Sequence, residues 1–131
     1  MYADVKKTWS AALRSDRFKQ GRGNLKMLVD GEWQHCCLGV LCDLAVEAGV
    51  AVEEKMSSTG IVSFDGERSF LPWSVADWAG LNTTSPTVVD GAEPDRDLVA
   101  LNDGLSLTVE PHSFPEIADL IDTMPEEVRP G

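Results

Sequence analysis

The residue types able to do chemistry fall into two stretches of this chain. In the first, His35-Cys36-Cys37 leads to Cys42-Asp43, which supplies a thiol, an imidazole and a carboxylate, the constituents of a Cys-His-acid arrangement. The second is Phe18-Lys19-Gln20-Gly21-Arg22-Gly23. Its glycines let backbone N–H groups approach an anion's oxygen atoms while Lys19 and Arg22 neutralise the charge. Phe18 offers a face for stacking a base, and Asn102-Asp103 is a compact polar pair able to read the edge of such a ligand. The candidate ligand-binding residues are therefore Phe18, Lys19, Gln20, Gly21, Arg22, Asn102 and Asp103.

Each stretch also has a plainer reading. Neighbours on a strand face opposite sides, so His35 is poorly placed to serve Cys36, and the other histidine, His112, precedes the last helix. A strand-to-helix junction at 35–36 does bring Cys36 near a helix N-terminus, where a thiol pKa can fall, so a Cys-dependent enzyme stays open behind the reading of a core cysteine beside a strand histidine. On one helix Cys36, Cys37 and Cys42 point in different directions and no second Cys/His cluster completes four ligands, so no metal site is expected. An odd count with two adjacent members makes a poor disulfide framework. The glycine loop, for its part, reads equally as a solvated connection. It lacks the Gly-Lys-Ser/Thr ending of a P-loop, follows a helix rather than a strand, and is accompanied by no dinucleotide fingerprint. No catalytic residue and no cofactor is assigned.

The elements that must position these residues are organised around 37–48, the longest apolar run. Its two faces are almost equally apolar, which predicts a helix buried nearly all round, ended by Gly49, with only Asp43 and Glu47 needing water or a partner. Ahead of it, Val5, Trp9, Ala12 and Leu13 recur at helical spacing and predict a first helix over 3–15. Leu25–Val29 and Trp33–Cys36 flank Asp30-Gly31, a dipeptide that closes hairpins. Weak alternation over 50–55, 61–64 and 68–71 suggests short strands, and Pro72–Leu81 a short helix around Val75, Trp78 and Ala79. Residues 82–97 read as a long, acidic, exposed loop, 97–104 as a short helix and 105–109 as a strand. Ser113 with Glu116 forms a capping box for a last helix burying Phe114, Ile117, Leu120 and Ile121, after which residues 125–131 should fray. The expected fold is α+β in a single compact domain over 1–131, with about four helices around the buried central helix and a small, mainly antiparallel sheet.

With 131 residues, 43% of them hydrophobic, one domain can bury a core without staples. The charged opening residues and the absence of a long apolar run argue against a leader or a membrane span and point to a cytoplasmic protein. The net charge of −11 is unevenly placed: residues 1–40 hold seven Lys/Arg against four Asp/Glu, so the excess of acid lies beyond them. Such a surface repels duplex nucleic acid. It leaves room for a small anion at the basic end or a basic protein against the acidic remainder.

The order of Trp9–Ser15, Phe18–Gly23, Cys36–Asp43, Leu71–Val75, Trp78–Leu81, Leu101–Asp103 and Ser113–Asp119 resembles that of a family of small proteins encoded in tailed-phage and prophage genomes. The resemblance implies a phage context, hence the cytoplasm of a host cell, and carries no catalytic residues. The functional expectation is an accessory protein that binds a host or phage protein through its acidic surface. The alternative is sequestration of a small phosphate-bearing ligand, such as a nucleotide signal, at the glycine loop.

Overall fold

The computed structural model of the chain describes residues 1–88, 96–104 and 110–129. Helix α1 (Ala3–Arg14) leads to β1 (Lys19–Gln20), the hairpin β2 (Lys26–Val29) and β3 (Glu32–His35), and the central helix α2 (Cys37–Glu47). Strands β4 (Glu54–Met56) and β5 (Ile61–Phe64) follow, then α3 (Trp73–Ala79), β6 (Thr87–Val88), β7 (Arg96–Asp97), α4 (Leu98–Asp103) and α5 (Phe114–Ile121). The fold is α+β, as expected from the sequence.

The core is built where apolar periodicity is densest. In α2, Cys37–Cys42, Leu44 and Ala45 are all buried, so the helix presents no solvent face until its last turn. It packs on α1, α3 and α4, while α5 packs on α1 and α4. Trp9 anchors α1 to it: the indole is fully buried and its Nε1–H donates to the Cys37 carbonyl at 2.9 Å. Gly39 lies directly over the Leu25 carbonyl, and a Cβ there would fall inside the oxygen's van der Waals sphere. Close approach of backbone to backbone is therefore what this position requires.

Five strands form one sheet in the order β1-β3-β2-β5-β4, parallel between β1 and β3 and antiparallel elsewhere. Asp30 and Gly31 both take positive φ (50° and 80°), the pair of left-handed residues that lets a two-residue turn match strand twist. In the resulting register His35 lies opposite Lys26, and the chain enters α2 directly from β3.

Several expectations are corrected. Within the loop expected over 16–24, Lys19–Gln20 adds an edge strand to β3, with the Gly21 N–H donating to the His35 carbonyl at 2.7 Å; two residues are too few to show a strand pattern. Residues 68–71 make single backbone bonds, Leu25 N–H to Arg68 O and Leu71 N–H to Thr84 O, rather than a strand. The strand expected over 50–55 begins only at Glu54, while Val50 and Val52 pack half-buried on the core. Leu120 is half-buried, since it sits at the edge of the apolar stripe of α5. The stretch expected as an exposed acidic loop contains β6 and β7, which pair antiparallel, and Val88 is buried. Residues 89–95 of it, the strand expected over 105–109, and residues 130–131 lie outside the described residues.

The segment after α5 does not fray as far as residue 129. Its backbone pairs with the start of α1: Glu127 N–H donates to Met1 O and Ala3 N–H to Glu127 O. The buried Lys6 ammonium reaches Met124 O at 3.0 Å and the Glu126 carboxylate at 3.1 Å. Backbone groups that the composition of the segment left unassigned thus find partners on α1.

Candidate functional site

Four of the seven candidate residues come together, at the junction of the glycine loop, α4 and the first turn of α2. Asn102, on α4, is fully buried. Its Nδ2 donates to Gly21 O and to Asp103 Oδ1, both at 2.9 Å, and its Oδ1 accepts from the Cys37 N–H at 3.2 Å and from Gln20 Nε2 at 2.9 Å. All the hydrogen-bonding capacity of one primary amide is used. Gln20 is equally engaged: Nε2 also donates to His112 O at 2.8 Å and Oε1 accepts from the Phe114 N–H, an orphan donor of the first turn of α5. Gly21 is buried against Gln34, whose Cβ would stand 2.8 Å from a Cβ at 21.

The glycine loop does hold an anion, and the anion belongs to the chain. Asp103 Oδ1 accepts from the Gly23 N–H at 3.1 Å and from Asn102 Nδ2. This is the geometry proposed from sequence for an external oxygen atom, filled by a carboxylate 80 residues away.

The other three candidates lie around this hub. Phe18 is half-buried, edge-on to His35 with 5.0 Å between ring centroids, and Arg17 rests over its face at 4.8 Å. Lys19 is exposed and pairs with Glu32 at 2.6 Å, holding that carboxyl below its ordinary range. Arg22 is exposed and makes no ion pair among the described residues. An open groove of about 380 Å³ runs past Phe18, Lys19, Gln20 and Phe114. Its cations are already matched, Arg14 to Asp119 and Asp122 and Lys19 to Glu32, so an entering anion would compete with carboxylates.

A second polar cluster joins the sheet to α2. His35 Nε2 donates to Asp43 Oδ2 at 2.6 Å and Lys26 Nζ reaches Asp43 Oδ1 at 3.3 Å. Contact with a carboxylate places an imidazole proton on Nε2, while Nδ1 is buried without a hydrogen-bond partner. Burial pushes the Asp43 carboxyl up, but the His35 hydrogen bond and the Lys26 charge outweigh it, so the group sits below its ordinary value. The one acid in the middle of an apolar helix was the sequence signal for this cluster; its partners were legible only from the β2–β3 register. The thiols take no part: burial pushes Cys36 up to about 11 and Cys37 and Cys42 well above their ordinary value. Cys36 therefore lacks the thiolate that a nucleophile requires.

A third arrangement went unrecognised in the sequence. Arg129 grips Asp4 through Nε (3.2 Å) and Nη2 (3.4 Å), and its guanidinium lies 4.6 Å from the centre of the Tyr2 ring. Among the described residues no group of His, Cys, Asp and Glu is arranged to hold a metal, and no helix is long and apolar enough to cross a membrane.

Neither a curated protein nor a solved structure matches this chain. Residues 1–125 match the family described as a domain of unknown function, DUF8296, and a match over nearly the whole length shows that the chain belongs to that family.

Proposed function

We propose that this is a phage-encoded accessory protein that works by non-catalytic binding to a host or phage protein through its acidic surface. The observation that carries the reading is Trp73, which stands 57% exposed at the start of α3. Tryptophan is the side chain most enriched at the centres of protein interfaces, where its large apolar area leaves water. Asp77 lies one turn further along the same exposed face, and the Ser74 hydroxyl holds the Asp65 carboxylate alongside at 2.7 Å. An apolar anchor rimmed by carboxylates suits a partner that offers basic residues around an apolar pocket. The buried thiols and the fully engaged amides of Gln20 and Asn102 favour binding over chemistry. The test is affinity capture from host and infected-cell lysates at low and high salt, with wild type beside Trp73→Ala. A salt-sensitive partner lost in the variant supports the reading, and identical recoveries from the two proteins end it.

The groove beside Phe18 favours a second reading, binding of a small phosphate-bearing ligand with Phe18 stacked on its base. A nucleotide at 100 times its dissociation constant would stabilise the protein by ~2.7 kcal/mol. A thermal-shift panel without any such increment removes this reading and leaves the first.

A further inference from the structure

The Arg129 clasp has the form of a recognition event inside one chain. A guanidinium held by both oxygens of a carboxylate and laid on an aromatic face is how proteins select arginine over lysine, because the planar fork fits the carboxylate and the weakly hydrated cation stacks. Here the platform is built in advance. The Tyr2 ring is pressed against Gly80, where a Cβ would come within 2.8 Å of ring atoms, and the Tyr2 N–H is tied to Ala79 O at 2.8 Å. Asp4 occupies the first turn of α1 and is exposed.

The groove does not end at Arg129. It continues for about 470 Å³ between α1 and the end of α2, past Thr8, Leu44, Glu47 and Trp78. The preceding residue, Val128, is 92% exposed and contributes nothing to seating the arginine. The side chain of Arg129 can therefore leave while the backbone bridge at Glu127 stays closed.

We infer that this groove is the docking site for an arginine-bearing segment of a partner protein, and that Arg129 fills the arginine subsite until that segment displaces it. The inference rests on the protein-binding reading above and supplies the chemistry of the partner: a basic segment whose arginine seats on Asp4 and Tyr2, with apolar residues following toward Leu44 and Trp78. Charge complementarity favours this occupant, since the groove offers Asp4 and, already shared with Arg17, Glu47, and the one arginine lining it is the chain's own.

The experiment uses the full chain and tri-arginine amide as probe, with tri-lysine amide as control, followed through the Trp78 indole and Thr8 amide resonances. If the internal arginine occupies its subsite nine-tenths of the time, removing it as Arg129→Ala should tighten tri-arginine binding about tenfold. Adding Asp4→Asn should abolish the gain, and tri-lysine should bind more weakly than tri-arginine to both proteins. Equal affinities for wild type and Arg129→Ala, or a gain that survives Asp4→Asn, overturn the inference. A wild-type dimer that Arg129→Ala converts to monomer would also overturn it, by giving the subsite to a second copy. No partner protein enters the titration, so an empty lysate capture beside a positive titration would remove the functional reading and leave the arginine subsite standing.

Discussion

Two kinds of joint hold distant segments of this protein together, and they differ in what they cost to open. The interior joint centres on the first half of α2: Gly39 against the Leu25 carbonyl, the Cys37 N–H on Asn102, the Trp9 indole on the Cys37 carbonyl. Each of these polar groups has exchanged water for a protein partner, so removing one partner leaves the other stranded in the dry interior. The surface joints, Arg129 to Asp4, Lys19 to Glu32, Arg14 to Asp119 and Asp122, use stronger charges but sit in water. There solvent screening and side-chain entropy leave little net stabilisation. Polar contacts of similar geometry therefore divide into those that specify the fold and those that can exchange partners.

The most severe test of that division is Gly39→Ala. The added methyl has nowhere to go but into the backbone of Leu25, and the expected outcome is no soluble folded protein, read from expression and circular dichroism. A cooperative melt near that of wild type would show that the helix does not seat where the interior joint requires.

Leu41→Ala removes a fully buried side chain from the same helix and should cost ~2–5 kcal/mol, through lost apolar burial and the cavity left behind. Chemical denaturation measures it. A loss under 1 kcal/mol, on the order of a surface change, would move α2 out of the core.

Asn102→Ala separates the interior joint from simple packing. It strands the Cys37 N–H, the Gly21 carbonyl and one Gln20 donor, at a combined cost of about 3 kcal/mol. The same measurement on Arg129→Ala should show almost no change. If the two variants melt alike, the contrast between the joints is wrong.

Asp43 lies between the extremes, half-buried and shared by His35 and Lys26. Its folded carboxyl titrates below the ordinary 3.8, so the unfolded chain takes up the proton first as pH falls. The stabilisation is thus complete above about that value and is lost as pH drops through the lowered folded one. Wild type should exceed Asp43→Asn in stability at neutral pH, and the gap should narrow below pH 3.8. A gap independent of pH would assign the effect of the substitution to packing alone.

The smallest effect is expected for Lys19→Ser combined with Arg22→Ser, beside Lys55→Ser as control. Both sites are exposed, so the melting curves should coincide with wild type. Nucleotide binding followed by thermal shift then separates the readings of the glycine loop. A loss confined to the double variant would make the loop a ligand site, and equal behaviour would confine its role to holding Asp103.

What could be read along the chain was whatever short-range physics controls. The apolar run of 37–48 determined a buried helix, Asp30-Gly31 determined a turn whose φ values only such residues adopt cheaply, and Ser113 with Glu116 determined a helix start, now closed as a reciprocal capping box. Each signal is contained within a few residues, because helix periodicity, turn dihedrals and capping are local. The use of the polar residues was decided by the tertiary structure alone. Gln20 finds Asn102 across 82 positions and Arg129 finds Asp4 across 125, and separations of that size leave no periodic trace in a single sequence. Glycines and cations that would suit an external anion were recognisable as chemistry. Whether the anion came from outside or from Asp103 depended on how α4 packs against α2, a matter of contacts between helices rather than of spacing within them.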